Sequence, residues 1–255
     1  EGYAAVGPIN WLAFNHNHDI LKNKAVRQAI SFAIDRDFIV NALHTGASTR
    51  ATGPIANGSP YYSGAVEAYD VNLAKAKRLL DQAGYTGNPR FELTIDYIPG
   101  FDEMQKTVAE YLRTQLKKVG IAVKLRASPD FPTWAKLVGG HDFDMSMDIV
   151  FNWGDPVIGV HRTYLSSNIR KGVIWSNTQS YSNSKVDSLL TRAARETNEA
   201  KRKALYAEFQ KIVADELPVA WINLLPYHTA YRKSVSNPPV TIWGTMSPLD
   251  RVDIN

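Results

Sequence analysis

The chain has 255 residues, 44% hydrophobic and 21% charged, which is enough for one large or two small globular domains and gives no sign of a disordered or fibrous chain. It has no cysteine, so disulfides and thiolate metal sites are excluded, and the composition suits an oxidising compartment. The net charge of +4 comes from scattered basic residues, a solvated surface and not a nucleic-acid footprint, and no apolar run reaches the roughly 18 residues of a membrane span.

In chain order, Trp11 to Asn15 predicts a strand that ends in the polar run Asn15-His16-Asn17-His18-Asp19. Asn23 is placed to cap a helix with Val26, Ala29, Ile30 and Ala33 on one face, and Asp35 to cap a second short helix that stops at Gly46. Residues 47–66 contain five Gly or Pro residues and read as a long irregular loop of functional type. Asp70 is expected to cap the next helix, with Leu73, Ala76, Leu80 and Ala83 as its stripe and Gly84 at the left-handed position beyond it.

The middle of the chain is more regular. Phe91, Leu93, Ile95 and Tyr97 alternate along a strand broken at Pro99-Gly100-Phe101. A helix from Asp102 carries Val108, Leu112, Gln115, Leu116 and Val119 and closes at Gly120. Ile121, Val123 and Leu125 form a second strand, and Asp130 with Pro132 opens a short helix holding Trp134, Leu137 and Val138. In the third strand, Phe143, Met145, Met147, Ile149 and Phe151 share one face and Asp144, Ser146 and Asp148 alternate with them, so that Asp144 and Asp148 are either paired carboxylates of a site or the solvent side of the sheet. This β-α-β-α-β order predicts a parallel or mixed sheet with right-handed crossovers. Ligands of such sheets lie outside the carboxyl ends of the strands. The loops at residues 99–101, 128–131 and 152–155 should then share one rim.

Beyond Pro156 the chain is expected to be loop-rich to Ser180. Helices follow, one capped by Ser182 or Asn183 and one from about Asn198 to Asp215, then a buried strand over Leu217 to Leu224. Pro226-Tyr227-His228 and the turn at Asn237-Pro238-Pro239 lead into a tail from Trp243 with no assignable pattern. The abrupt opening at Glu1 reads as the continuation of something longer.

Several blocks carry a resemblance. Residues 26–36 (VRQAISFAIDR), Gly53-Pro54-Ile55 followed by Tyr69-Asp70 and residues 74–85 (AKAKRLLDQAGY), Tyr181-Ser182-Asn183 with residues 186–190, and Pro218-Val219-Ala220-Trp221-Ile222 occur in one order along most of the chain. In that order they resemble the family 5 extracellular solute-binding proteins, the dipeptide-, oligopeptide- and nickel-binding components of ABC importers. The resemblance implies a type II periplasmic binding-protein lobe of α/β class, with a mixed, mostly parallel sheet flanked by helices. It implies a hinge or crossover segment over 1–22, a C-terminal ligand-binding lobe over 23–224 and a returning segment over 225–255. The function implied is capture of a short peptide between two lobes and its delivery to a membrane permease. The protein would be a periplasmic monomer, free or lipid-anchored, without a cofactor, and the lobe alone would bind weakly.

At the rim, Asn152, Trp153 and Asp155 place an amide, an indole and a carboxylate at the strand end. The resemblance gives Asp155 the ligand's ammonium, through a charge-assisted hydrogen bond. Its other reading is the cap of a helix beginning at Pro156. Trp153 can stack on a ligand, Arg170 can fork onto a ligand carboxylate, and Trp134, Trp175 and Tyr227 are aromatic candidates to line the pocket. His16 and His18 would point the same way along an extended strand, which leaves open a nickel or metal-chelate carrier or, from another class, a metal-dependent hydrolase. No nucleophile elbow, zincin motif or phosphate loop accompanies them.

Overall fold

The computed structural model describes residues 7–98, 102–225, 230–239 and 247–255. Its centre is a six-stranded mixed sheet in the order β2-β6-β1-β5-β3-β4. The strands are β1 (Pro8–Phe14), β2 (Thr49–Arg50), β3 (Phe91–Tyr97), β4 (Ile121–Ala127), β5 (Met145–Phe151) and β6 (Val219–Leu224). β3 runs parallel to β4 and to β5, as the β-α-β-α-β reading requires. The remaining pairings, β1 with β5, β1 with β6 and β2 with β6, are antiparallel. β3, β4, β5 and β6 thus share a direction, but most pairings are antiparallel, a correction to the expected mostly parallel ladder. The cause is β1, which runs against both of its neighbours. Every residue of β1 is buried, so this segment is sheet interior.

Local chemistry starts and stops the helices much as expected. α1 (Lys24–Ala33) is capped by Asn23, whose side chain accepts from the Ala25 N–H. Asp35 caps α2 (Arg36–Phe38), which runs on into a π turn over Ile39–Leu43. α3 (Leu73–Gln82) departs from expectation. Asn72 caps it, accepting from Lys75, while Asp70 is held by Arg50 at 2.6 Å. α4 (Asp102–Lys118) packs on β3 and β4 and ends at Gly120, where φ is +85°. Asp130 caps α5 (Phe131–Gly139). The stretch after β5 is more ordered than predicted, forming α6 (Pro156–Gly159) and α7 (His161–Tyr164). Asn183 caps α8 (Ser184–Arg195) and Asn198 caps α9 (Glu199–Glu216). A two-stranded ribbon of β7 (Val235–Ser236) and β8 (Asp253–Ile254) follows.

Burial settles the faces of β5. Residues directly opposite one another in a ladder share a face. Asp148 lies opposite Trp11, which lies opposite Trp221, so a carboxylate and two indoles project to one side. Ser146 and Asp148 are both buried, so at these positions this face of the strand is not a solvent side. Trp221 in turn donates its indole N–H to Tyr164 of α7 at 3.1 Å. This fastens the segment after β5 beneath the sheet.

Candidate functional site: a cavity at the carboxyl end of β5

The polypeptide leaves β5 through a tight bend. Gly159 of α6 sits so close to the strand end that a Cβ there would lie 2.3 Å from the carbonyl oxygens of both Phe151 and Asn152. Only glycine permits that approach. The buried Asn152 amide donates to Pro54 O at 3.1 Å and accepts from the Ala56 N–H at 2.6 Å. It therefore ties the irregular loop of residues 47–66 across the end of the strand, and this amide is committed to the backbone.

Asp155 is committed as well. Its Oδ1 accepts from the Val157 N–H at 2.9 Å, which caps α6, and both carboxylate oxygens accept from Arg202 of α9, at 2.8 and 3.0 Å. Arg202 also donates to the Tyr61 hydroxyl and lies over the Tyr61 ring. Burial raises the Asp155 pKa, but the Arg202 hydrogen bonds and the Val157 N–H outweigh it and hold the carboxyl below its ordinary range. Between its two sequence readings, the helix cap is what the geometry shows. The carboxylate joins α6 to α9.

A cavity of about 330 Å³ opens beside this bend, lined by Ile98, Asp148, Ile149, Phe151, Trp153, Arg162 and Trp175. Larger recesses of about 1050 and 530 Å³ lie elsewhere, one beside Asn237 to Asp253 and one between α1 and α3. The smaller cavity is the better candidate because it sits at the carboxyl ends of the parallel strands and brings a buried carboxylate and aromatic walls together. Trp153 stacks on Phe151, with ring centroids 5.2 Å apart. Trp175 packs on Phe131 at 5.7 Å. Both tryptophans have left-handed backbones, with φ of +56° and +54°. Such geometry costs a non-glycine residue on the order of 1–3 kcal/mol and is concentrated at functional sites.

The floor of the cavity is electrostatically unusual. Asp148 is buried, and its Oδ1 accepts from the Ile149 N–H at 2.7 Å. Loss of hydration pushes its carboxyl up to about 7, against the opposing pull of that N–H, the Trp175 indole and the Arg162 charge. Burial also lowers the Arg162 guanidinium, partly offset by Asp148. The Arg162 Nε is buried without a hydrogen-bond partner among the described residues.

The expected site residues therefore separate. Trp153 and Trp175 meet in the cavity. Trp134 is completely buried behind Phe131, a core residue and not a wall. Arg170 is exposed, with its Nε donating to Ser167 O at 3.2 Å, and it does not line the cavity. Tyr227, together with the 99–101 turn, His228 and Trp243, lies outside the described residues. The sequence reading missed Asp148 and Arg162. Their only signal was a carboxylate three residues from a strand end and a basic residue in the segment behind it.

His16 and His18 lie in a turn and not on an extended strand, and they diverge. His16 meets Tyr181 edge-on and is held neutral, at about 3, by burial and by the Arg27 charge. His18 approaches Asp144 at 3.5 Å. Among the described residues no group of three or more His, Asp or Glu side chains is arranged to hold a metal.

The mixed α/β sheet thus carries a small cavity outside its parallel strand ends, the place where sheets of this kind take ligands. Comparison with known proteins gives the lineage. Residues 3–170 match the family described as bacterial extracellular solute-binding proteins, family 5 Middle, and the chain belongs to that family. It is 30% identical over 219 residues to heme-binding protein A of Haemophilus influenzae, covering 84% of this chain and 38% of that one. It is 29% identical over 231 residues to a probable D,D-dipeptide-binding periplasmic protein of Escherichia coli, covering 89% and 43%. Its fold matches the oligopeptide-binding protein AppA of Bacillus subtilis, solved with a nonapeptide, at a TM-score of 0.84 and 22% identity, covering 98% of this chain and 51% of the other. The chain thus spans about two fifths of the length of these curated relatives.

Proposed function

We propose that this chain is the ligand-binding lobe of the substrate-binding component of an ABC importer, and that the solute is a short peptide. The observation that carries this reading is the cavity at the end of β5, where two indoles in strained backbone conformations flank a buried carboxylate. Relatives described as binding dipeptides, and solved structures holding peptides, support the ligand class. In this reading the second wall comes from another lobe, closure about a hinge buries the peptide, and a membrane permease receives it. The protein works as a monomer outside the cytoplasm, in the periplasm or tethered at the membrane surface. Among the described residues no helix is long and apolar enough to cross a membrane.

Mass spectrometry of solutes that co-purify with the full-length protein, followed by calorimetry, tests this. The expected result is a peptide released on denaturation that rebinds with a one-to-one stoichiometry. A sugar or a metal chelate in its place overturns the peptide reading, and metal analysis of the same sample separates the chelate. Calorimetry on residues 1–255 alone should show weak binding, because half of the contacts are missing.

A further inference from the structure

The two edges of the central sheet are finished differently. One edge strand, β2, has two residues and offers little backbone for another chain to pair with. The other, β4, has seven and pairs with β3 in an unbroken parallel register, from Phe91 opposite Ile121 to Tyr97 opposite Ala127. Among the described residues no strand lies on its outer side. Backbone N–H and C=O groups therefore face outward along the length of β4.

The usual guards of a free edge are missing from β4 or turned away. It contains no proline, and its register shows no bulge. Its two cations are drawn back over the sheet. Lys124 meets Glu92 of β3 at 2.6 Å, and Arg126 holds Asp96 of β3 with bonds of 2.5 and 3.0 Å.

A groove of about 550 Å³ lies where this edge begins, between the start of β4, the turn at Asn88-Pro89 and the last turns of α4. Arg113 and Lys117 of α4 line it, and both are exposed. Neither has an ion pair among the described residues, and no acidic residue lines the groove. The groove is at the amino end of β4 and the cavity at the carboxyl end of β5, two strands that share a direction, so they occupy opposite ends of the lobe.

The spacing of the two cations fits an extended chain. Four residues of helix advance about 6 Å, and alternate side chains of a strand lie about 6.6 Å apart. A strand laid along β4 with acids at positions i and i+2 presents both to Arg113 and Lys117. The β4 edge of a second copy carries Lys124 and Arg126 and no acid, so it does not complement the groove.

We propose that β4 and this groove form a docking surface for an extended segment of a partner protein with Asp or Glu at alternate positions. The segment adds to the sheet as a further strand. Its backbone pairs with the outer edge of β4, and its acids pair with Arg113 and Lys117.

Fluorescence anisotropy on the full-length protein tests this with a labelled octapeptide. The peptide is blocked at both ends, is built of Thr and Val, and carries Glu at its third and fifth positions. It should bind, and more weakly as salt rises. Lys in place of both Glu residues, or the double variant Arg113→Glu and Lys117→Glu, should each weaken binding about 10-fold or more. Both side chains are exposed, and the hydrogen-exchange pattern of the variant shows whether its fold is kept. In the wild-type protein the peptide should slow exchange over residues 121–127 and leave 148–153 unchanged. No binding, equal binding of the Lys peptide, or equal binding by the double variant overturns the proposal. Slowed exchange at 148–153 in place of 121–127 puts the peptide in the cavity, which overturns the docking surface and leaves the solute-binding reading standing. Full protection of 121–127 before any peptide is added gives the edge to the rest of the full-length chain, and protection that grows with protein concentration alone gives it to a second copy. Either result overturns the acidic partner.

Discussion

Two carboxylates frame the end of β5, and their surroundings set them to opposite tasks. Asp155 is ion-paired through both oxygens to Arg202, caps α6, and is held below the usual carboxylate range. Asp148 has no ion pair among the described residues, is deeply buried, and is pushed up to about 7. The exposed-looking acid of the loop holds helices together, and the acid hidden in the strand faces the cavity. A carboxylate whose oxygens are already matched has little left to offer a ligand. One that has lost its water without gaining a cation is poised to accept one.

This contrast can be broken most severely through the bend that separates the two acids. Gly159→Ala should cost more than about 3 kcal/mol, because the added methyl meets two carbonyl oxygens that cannot both retreat. Chemical denaturation should show the loss, together with disrupted binding. Asn152→Ala should cost about 2–4 kcal/mol, since it strands a buried N–H and a buried carbonyl of the 54–56 strap.

The acids themselves should respond with opposite signs. The folded protein holds a proton on Asp148 that the unfolded chain releases between pH 3.8 and about 7, so wild-type stability falls as pH rises through that window. Asp148→Asn removes this penalty. It should raise stability at pH 8 by on the order of 2 kcal/mol and flatten the profile between pH 4 and pH 7. Asp155 works the other way. Its lowered carboxyl contributes stability above pH 3.8 that is lost as pH falls through its folded value. Its side chain is 41% exposed, so Asp155→Ala should cost only about 1 kcal/mol from the cap and the screened ion pair, with ligand affinity nearly unchanged. If Asp155→Ala abolishes binding while Asp148→Asn leaves it intact, the assignment of roles is reversed.

Much of the fold was legible because it is written locally. Asn23, Asp35, Asp130, Asn183 and Asn198 each cap the helix that their position announced, and the alternation at Leu93 and Ile95 marked β3 correctly. At α3 the expected cap, Asp70, is engaged by Arg50, and Asn72 two residues on caps the helix in its place. The site was less legible. Asp148 looks solvent-facing from alternation alone, and its burial follows from lying opposite Trp11, a register set by a strand far away in the chain. Trp134 and Trp175 pack on the same Phe131 ring, and only the tertiary burial, complete for Trp134 and partial for Trp175, separates a core residue from a cavity wall.

The seat of β1 carries a consequence for how the lobe comes into being. Its Asn10 side chain donates to Asn223 of β6, 213 residues away, and its other edge pairs with β5. The first strand described is therefore among the last to find its partners. At about 5–20 residues per second, a ribosome needs roughly 10–40 s to make the intervening chain. Until β5 is made this apolar strand has neither neighbour, and until β6 is made one of its edges stays open. The order of synthesis and the order of assembly run in opposite directions, and refolding should be slow for a chain of this size because its central pairing closes so long a loop.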